Sequence, residues 1–489
     1  MTASDARAFA ARRHRHFIGG AWVESYGADL AVIDPATAAE IGAIPSGTPE
    51  DVDAAVEAAQ AAMRAVRGAW RPADRAAALW ALADAVEAHA EELAQLETLD
   101  VGKPIANARM IDVPGAAAAL RYFAGWAGKI GGETMEMSSP GQWHAFTVRE
   151  PVGVVAQIVP WNYPLMGAAT KIAPAIAAGC AVVLKPAEQT SLATLRLGEL
   201  IGAIGMPPGM INIVTGTGPV AGAALVRHPD VTKISFTGST ATGRVIVAEA
   251  AATMKRVTVE LGGKSPVIVF PDADLDTAAR AIAMGIFLNT GQTCSAGSRL
   301  LVHRDVADEL VRKVHAIGAA MRVGDPAAPD TQIGPVTSAG HLAKVTSYIE
   351  GARQGGATIL GGGDAGHARG YFIAPTLLSG IGAGTPAATE EIFGPVLAVL
   401  PFDTLDLDEI AALANAGDYG LAAYIWTRSL GLAHGLIPRL KAGTVRVNAI
   451  GGNDFAMPVG GTRHSGFGRE NGRVGVEAYT ELKSVTLSY

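Results

Sequence analysis

The segment VVAQIV at residues 154–159 starts a regular alternation of short apolar strands and helical stretches, and this alternation decides the fold. Further strands are predicted at Ala181–Leu184, Ile211–Val214, Lys233–Phe236 and Val257–Leu261. Helices are predicted between them, near 165–178, 191–203, 219–227 and 240–252. Strands that alternate with helices form parallel sheets with helical crossovers, so the sequence predicts an α/β fold.

Polar residues, and one glycine, recur where these strands end: Asn162, Lys185, Glu188, Gly216, Ser239 and Glu260. In an open parallel sheet, ligands bind beyond the carboxyl ends of the strands. The sequence therefore predicts a ligand-binding crevice at this edge of the sheet.

On the C-terminal side, a second α/β series begins with a strand at Val267–Phe270, a helix at Leu275–Leu288 and a strand at Leu300–His303, and it continues to about residue 461. On the N-terminal side, helices are predicted after the Thr48 cap, at Ala73–Leu96 and at Ala116–Ala127. The segment 131–151 contains a Ser-Pro-Gly turn and predicts a protruding hairpin arm, with which a C-terminal strand at 484–489 could pair.

Composition excludes several classes of protein. The chain has 489 residues, enough for two or three domains, and a net charge of -7 that does not favour nucleic acid or an anionic membrane. The longest apolar stretch is interrupted by Pro160, Asn162 and Pro164, so no membrane-spanning helix is predicted. The N-terminus lacks the apolar core of a secretory signal. We therefore expect a soluble cytoplasmic protein.

The chain has two cysteines, too few for a disulfide framework or a thiolate zinc site. Cys294 lies among small residues in FLNTGQTCSAGSR (287–299), where a substrate could approach a nucleophilic thiol. The alternative is an inert, small apolar side chain. The eleven histidines show no zinc-binding spacing and no GxSxG elbow is present, so no metal site and no serine nucleophile are predicted.

Glycine patterns alone do not identify a cofactor. Gly361, Gly363 and Gly366 spell GxGxxG, but HARGYF follows instead of a helix, so a loop is predicted there. The segment FTGSTATG (236–243) could hold a pyrophosphate at the start of a helix, or could be an ordinary capped turn.

Six motifs taken together resemble those of the aldehyde dehydrogenase superfamily. They are PWNYPL (160–165), KPAEQT (185–190), FTGSTATG (236–243), VELGGKSP (259–266), GQTCSAGSR (291–299) and EEIFGPV (390–396). Their order and spacing also fit, and the resemblance covers nearly the whole chain. It implies an NAD-dependent enzyme that oxidises an aldehyde to a carboxylic acid.

The resemblance also implies roles for particular residues. Cys294 would attack the aldehyde as its thiolate, and the Asn162 amide with the Cys294 N–H would stabilise the oxyanion. Glu260 would activate the water that hydrolyses the thioester, and Lys171 would hold a helper position in proton relay. Without the resemblance, Glu260 could be a solvated charge, Asn162 a turn-capping amide and Lys171 a solvated helix residue.

For the cofactor, the resemblance places Glu391 at the nicotinamide ribose with Phe393 beside it, and Lys185 with Glu188 at the adenosine ribose. A carboxylate at Glu188 would repel a 2′-phosphate, so NAD is favoured over NADP, although Lys185 could partly offset this repulsion. Further cofactor contacts are expected from Ile158, Pro160, Trp161, Gly218, Phe236, Thr237, Gly238, Ser239 and Leu261.

The chain departs from the family at positions that would line the substrate tunnel. Small or aliphatic residues replace larger or aromatic ones at Gly115, Thr170, Ile450, Gly451, Gly452, Asn453 and Val459, and Arg463 replaces a usual lysine. These changes predict a wide tunnel and a bulky or aromatic aldehyde. Alternatively, they are neutral, or Tyr163, Phe455 or Met457 refills the space.

The predicted organisation is a Rossmann-type NAD-binding domain at 1–130 and 150–262 and an α/β catalytic domain at 263–462. An oligomerisation arm and a C-terminal segment occupy 131–149 and 463–489, and imply a homodimer or homotetramer. Two rival functions are a coenzyme A-acylating semialdehyde dehydrogenase and a non-catalytic binding or structural protein on the same fold. The presence of Glu260 disfavours the first, and the full set Cys294, Asn162, Glu260 and Glu391 disfavours the second.

Overall fold

The computed structural model describes residues 3–363, 365–452 and 454–489. Within these ranges the strands are β1 (His16–Ile18), β2 (Ala21–Val23), β3 (Asp29–Asp34), β4 (Ala39–Pro45), β5 (Thr134–Met135), β6 (Trp143–Pro151), β7 (Val154–Ile158), β8 (Ala181–Lys185), β9 (Ile211–Ile213), β10 (Val231–Thr237), β11 (Arg256–Glu260), β12 (Pro266–Val269), β13 (Arg299–His303), β14 (Thr358–Gly361), β15 (Thr376–Ser379), β16 (Val396–Phe402), β17 (Ala422–Trp426), β18 (Thr444–Val447), β19 (Gly466–Phe467) and β20 (Thr480–Ser488).

The α-helices in the same ranges are α1 (Ala3–Ala10), α2 (Pro49–Val66), α3 (Pro72–Ala88), α4 (Ala90–Val101), α5 (Ile105–Asn107), α6 (Val113–Ala124), α7 (Pro164–Ala178), α8 (Leu192–Ala203), α9 (Ala223–Arg227), α10 (Thr240–Ala251), α11 (Leu275–Phe287), α12 (Arg304–Ala320), α13 (Ala339–Gln354), α14 (Pro386–Thr389), α15 (Leu407–Ala414), α16 (Leu430–Leu436) and α17 (Gly472–Glu477). None of them is long and apolar enough to cross a membrane.

The larger sheet has the order β19-β11-β10-β7-β8-β9-β1-β2. Its five central strands are parallel, as predicted, and the chain reverses direction across the sheet between β7 and β10. Ligands bind at such a reversal point in open α/β sheets. The fold therefore presents the loops after β7 and β10 as the two sides of a crevice.

The second sheet has the order β14-β15-β16-β13-β12-β17-β18 and is parallel apart from β14. Its strands begin near the carboxyl edge of the first sheet, because only a short turn, Leu261–Ser265, joins β11 to β12. Segments that enter this amino edge, such as the one before β13, therefore face the crevice.

The predicted hairpin at 131–151 and its pairing with a C-terminal strand are confirmed. Strand β6 pairs with β5 and, along its whole length, with the C-terminal strand β20. Met135, Leu482 and Leu487 on this small sheet are exposed. The end of the chain thus stabilises a hairpin that would be marginal alone.

The predicted helix at 73–96 is wrong in one respect, because the chain forms α3 and α4 with a break at His89. Two acidic residues, Glu91 and Glu92, fill the first turn after the break, where a helix N-terminus favours negative charge. The predicted start of α2 is confirmed, since Thr48 and Asp51 form a capping box.

Candidate active site

The crevice between the two sheets has a volume of about 190 Å³. Loops from both sheets line it: Pro160, Trp161, Asn162, Thr237, Gly238, Ser239, Leu261, Gly262, Cys294, His341, Lys344, Glu391 and Phe393. The structure therefore brings the predicted nucleophile together with most of the predicted cofactor residues.

The loop that carries Cys294 has an unusual backbone. After α11, Asn289, Thr290 and Gly291 have φ values of 52°, 56° and 72°. The left-handed region is costly for a β-branched residue such as Thr290 and persists only where the surroundings enforce it. Here Thr290 Oγ1 donates to the Gly334 carbonyl at 3.0 Å, and the side-chain oxygen of Gln292 accepts from the Thr337 N–H at 2.9 Å.

Cys294 is half-buried at the bottom of the crevice. Burial raises the pKa of its thiol to about 12, and the charges of Glu391 and Glu260 act in the same direction. The thiolate expected from the sequence is thus disfavoured in the structure, because a thiol desolvated beside carboxylates holds its proton. Attack by Cys294 then requires a nearby base that takes this proton.

Asn162 follows β7 and is buried. Its side-chain amide donates to the Gln292 carbonyl at 2.8 Å, and Asn289 Nδ2 donates to the Asn162 carbonyl at 3.1 Å. These bonds join the first sheet to the cysteine loop. The turn-capping alternative is therefore wrong, since the amide spans two distant parts of the chain.

Glu260 ends β11 and is 9% exposed. Its Oε1 atom has no hydrogen-bond partner among the described residues. Burial, followed by the charge of Glu470, raises the pKa of this carboxyl well above its ordinary value. A carboxylate whose pKa is raised by burial is a stronger base than a solvated one, and because Glu260 is buried the solvated-charge alternative is wrong.

Lys171 is also buried, not solvated. Its Nζ atom donates to Ser235 Oγ at 2.9 Å and hydrogen-bonds to the Glu470 carboxylate. The charge of Lys171 lowers the pKa of Glu260, so it opposes Glu470. Glu470 was not predicted as a site residue, because nothing in its local sequence places it beside α7.

On the cofactor side, Lys185 is buried at the end of β8 and its Nζ atom donates to the Pro186 carbonyl. It lies 3.5 Å from Glu188, whose side chain is one-third exposed. Gly218 begins a helical turn that reaches Lys185 at Gly222, where an added Cβ would lie 3.6 Å from Lys185 Cδ.

The turn after β10 is a capped helix start, one of the two alternatives that the sequence left open for the segment 236–243. Ser239 caps α10, and its hydroxyl accepts from the Thr242 N–H at 3.1 Å. Phe236 packs beneath Gly238, where an added Cβ would lie 2.4 Å from its ring, and Leu261 packs against Gly243 in the same way. Thr237 and Gly238 therefore line the crevice with backbone, while Ile158 is buried behind them in β7.

Glu391 and Phe393 enter the crevice from the segment before β16. Glu391 accepts from the Gly263 N–H at 2.8 Å, and Phe393 has a left-handed backbone with φ of 63°. His341 Nε2 lies 2.7 Å from the Phe393 carbonyl, and its ring packs edge-on against Trp161. Burial lowers the pKa of His341 to about 4, so it is neutral and its Nε2–H can donate this bond.

His341 and Lys344 were missed by the sequence analysis. Both lie on α13, far along the chain from every recognised motif. Only the fold brings this helix to the crevice.

Two positions expected to widen a substrate tunnel are partly filled. An added Cβ at Gly115 would lie 2.7 Å from Met166 Sδ, so Met166 occupies the space that the glycine leaves. Ile450 packs against Gly285 in the same manner. Phe455 contacts Tyr122, with ring centroids 6.4 Å apart, while Asn453 lies outside the described residues.

The other departures are less directly linked to a tunnel. Thr170 is half-buried on α7, one turn after Met166. Arg463 donates to the Asn415, Gly417 and Tyr419 carbonyls, so its role is to join loops. In the described ranges no group of three or more His, Cys, Asp or Glu residues could hold a metal ion.

Comparison with known proteins gives one consistent result. Residues 22–485 match the profile described as "Aldehyde dehydrogenase family". Phenylacetaldehyde dehydrogenase from Pseudomonas fluorescens is 44% identical over 97% of this chain and 96% of its own length. Betaine aldehyde dehydrogenase from Cereibacter sphaeroides is 44% identical over 96% of each chain. The NAD+ complex of aldehyde dehydrogenase from Bacillus cereus superposes with a TM-score of 0.96 at 42% identity, covering 99% of this chain and 98% of that one.

Proposed function

The chain belongs to the aldehyde dehydrogenase family, and from this membership we propose that it oxidises an aldehyde to the carboxylic acid with NAD, through a covalent intermediate on Cys294. The observation that carries the proposal is that Cys294 and Asn162 line one crevice and the Asn162 amide bonds to the cysteine loop, while Glu260, buried at the end of β11, lies close enough for its charge to act on the thiol.

In the proposed reaction, Glu260 takes the thiol proton as Cys294 Sγ bonds to the aldehyde carbon. The Asn162 amide and the Cys294 N–H hold the oxyanion of the resulting thiohemiacetal. NAD, when bound, accepts the hydride that leaves this carbon. The product is a thioester between the acyl group and Cys294.

Hydrolysis then needs an activated water. The raised pKa of Glu260, caused first by burial, makes this carboxylate a stronger base than an ordinary one and suits it to take a proton from the water. Lys171 hydrogen-bonds to Glu470, and the charges of these two side chains act in opposite directions on the pKa of Glu260. Water attack at the thioester carbon releases the acid and returns the thiol.

The crevice residues fit NAD. Backbone at Thr237 and Gly238, next to the N-terminus of α10, suits a pyrophosphate. Gly262 permits Glu391 to approach, since an added Cβ would lie 2.5 Å from Glu391 Oε2. Trp161 and Phe393 provide an apolar wall beside the nicotinamide end. Similar structures from Bacillus cereus and Pseudomonas are described as complexes with this cofactor.

A preference for NAD over NADP is supported by Glu188. Its carboxylate is half-buried beside Lys185, where it can accept hydrogen bonds from ribose hydroxyls. A 2′-phosphate in this position would meet like charge in a partly desolvated place.

The substrate class that we propose is a bulky, uncharged aldehyde such as an arylacetaldehyde. The walls expected for the tunnel are apolar or small, at Gly115, Met166, Thr170 and Ile450. Met166 is unbranched and can move aside, so a large apolar group could displace it. A trimethylammonium aldehyde is better recognised by an aromatic cage. Thr170 and Val459 stand at positions where aromatic residues could have contributed to such a cage.

The two rival functions are less well supported. A coenzyme A-acylating enzyme has no need of a buried general base, and the buried carboxyl of Glu260 with its raised pKa supports the hydrolytic reaction instead. A non-catalytic protein has no need for a strained cysteine loop tethered to Asn162.

We also propose the domain boundaries given above, a cytoplasmic location, and assembly into a dimer or tetramer through the arm. The arm sheet supports assembly because it combines exposed apolar side chains with the free edge of β5. Mass measurement by light scattering tests this part.

The function is tested by the absorbance of NADH. Purified protein is mixed with NAD and with phenylacetaldehyde, acetaldehyde or betaine aldehyde, and kcat/KM is measured for each. We expect phenylacetaldehyde to give the highest value. NADH production that requires coenzyme A would instead support the acylating rival, and the absence of turnover with every aldehyde would support the non-catalytic one.

A further inference from the structure

Three ionisable side chains behind the crevice, Glu97, Lys103 and Asp112, form a cluster that we call the buried triad. Each is at most 1% exposed. Lys103 Nζ lies 3.4 Å from Glu97 Oε2 and hydrogen-bonds to Asp112 Oδ1. Apolar replacements of such buried ion groups are often equally stable, so a contribution to stability alone does not account for the triad.

The triad touches the segment that follows Asn162. Lys103 Nζ lies 4.0 Å from the centre of the Tyr163 ring, a cation–π contact in a desolvated place. The Tyr163 hydroxyl lies 3.0 Å from Thr293 Oγ1. Tyr163 directly follows Asn162 in the chain, and Thr293 directly precedes Cys294. The Tyr163 side chain therefore connects the Lys103 ammonium to the neighbours of both groups that are proposed to react.

Two further contacts connect the triad and its neighbour Gly102 to the segments around Asn162 and Cys294. Glu97 Oε1 accepts from the Leu165 N–H at 2.8 Å, which fixes the first turn of α7 beside Asn162. The backbone of Gly102, next to Lys103, packs directly on Gly334, where an added Cβ would lie 2.0 Å from the Gly102 carbonyl oxygen. Gly334 in turn accepts from Thr290 in the cysteine loop.

The backbone of the cysteine loop is strained and must be stabilised by contacts of this kind. Asn289, Thr290 and Gly291 hold three successive left-handed conformations. Such a backbone is costly for a non-glycine residue and is retained only where neighbours over-determine it. The triad and Tyr163 supply a support on the side of the loop where Thr293 lies.

We propose that Lys103 is a positioning residue for the reaction at Cys294: its ammonium holds the Tyr163 ring, which fixes Thr293 and so the thiol relative to the Asn162 amide. Lys103 acts through Tyr163, so it is not itself a catalytic residue. The inference rests on the proposed function, and the Cys294→Ala variant tests that function separately.

The test compares Lys103→Met with a matched control, Arg196→Met. Arg196 also pairs with two carboxylates, Glu92 and Glu199, and Glu92 lies on α4 as Glu97 does. Each variant therefore removes one cation that bridges two acids, but only Lys103 contacts the segment beside Asn162. Both are purified as the folded oligomer, and kcat and the KM for NAD are measured.

For Lys103→Met we expect kcat to fall about ten- to a hundredfold while the KM for NAD changes less than about twofold, since a small displacement of reacting groups slows chemistry and leaves remote binding intact. For Arg196→Met we expect kcat within about twofold of the unchanged enzyme despite a similar loss of thermal stability. Equal kcat losses in the two variants, or no loss in Lys103→Met, would overturn the proposal.

If Lys103→Met does not fold, the triple variant E97Q/K103M/D112N replaces it. This variant leaves no unpaired buried charge and keeps an acceptor for the Leu165 N–H. The same loss of kcat is expected because the cation over Tyr163 is gone, and an unchanged kcat would again overturn the proposal. Tyr163→Phe and Thr293→Val report on the next link, and their losses should not multiply in the double variant if the hydroxyl pair acts as one unit.

Discussion

The two edges that form the crevice are built in different ways. The carboxyl edge of the first sheet is regular: strands end, Ser239 caps a helix, and the backbone itself lines the crevice. The amino edge of the second sheet carries a strained loop held by contacts with remote parts of the chain: the Asn162 amide donates to the Gln292 carbonyl, and the Thr337 N–H donates to the Gln292 side chain. Local pattern thus builds the cofactor edge, whereas long-range polar contacts build the cysteine edge.

The sharpest test of this contrast removes the thiol. Cys294→Ala deletes the atom for which the strained loop exists and leaves the regular edge intact. We expect kcat to fall by more than about 10⁴-fold, because no other group nearby can form the covalent intermediate. NAD binding, measured by calorimetry, should stay within about twofold of the unchanged enzyme, because the thiol contributes little to a cofactor held by backbone.

The second cysteine provides the matched control. Cys180 is fully buried and its Sγ donates to the Tyr479 carbonyl. Cys180→Ala should lower the melting temperature and leave kcat within about twofold of the unchanged enzyme. Persistent turnover in Cys294→Ala would remove the basis for assigning chemistry to the loop.

Glu260 joins the two edges, and its replacement should have the next largest effect. Glu260→Gln keeps the shape but cannot take a proton, so we expect the overall rate to fall about 10²–10⁴-fold. If the thiol proton and the water both depend on this carboxyl, as we propose, the burst of NADH and the steady rate should both slow. Rapid-mixing absorbance separates the two phases, and Glu249→Gln, in an exposed pair with Arg227, is the control.

The contrast also explains what the sequence could reveal. The five central strands and their helices were predicted within a few residues, because strand and helix periodicity is a local property of the chain. The residues at the strand ends, from Asn162 to Glu260, were identified by the same pattern before any resemblance was used. The arm and its pairing with the C-terminal strand followed from turn chemistry.

Other features depend on contacts between distant segments and could not be read from local sequence. His341, Lys344 and Glu470 reach the site only through the fold. The raised pKa of Cys294, caused by burial and by the charges of two carboxylates, is a property of the assembled crevice. Met166 filling the space at Gly115 likewise requires knowledge of how α6 and α7 pack.

The raised pKa of Cys294 gives a pH-dependent prediction. With a pKa of about 12, the thiol is almost fully protonated at neutral pH. In a Cys180→Ala background, alkylation by iodoacetamide should therefore speed up about tenfold per pH unit from pH 8 to 10, because the thiolate is the nucleophile.

The neighbouring carboxylates sharpen this test. Glu391 raises the pKa of the thiol more than Glu260 does, and both act by like charge. Glu391→Gln should thus speed alkylation by about two- to tenfold at pH 9, and Glu260→Gln by less. A rate that levels off below pH 9 would show that the thiol ionises far more easily than its surroundings indicate.

The smallest effect is expected on the regular edge, where one contact can change without disturbing the backbone. Glu188→Gln removes the charge that would repel a 2′-phosphate and keeps a polar group beside Lys185. We expect the ratio of kcat/KM for NADP to that for NAD to rise about three- to thirtyfold, with kcat for NAD nearly unchanged. Glu199→Gln is the control, because Glu199 is also a partly exposed carboxylate paired with a cation, Arg196; this variant should leave the ratio unchanged. If Glu188→Gln lowers kcat itself as strongly as the cysteine-edge variants do, the two edges are not independent and the contrast between them fails.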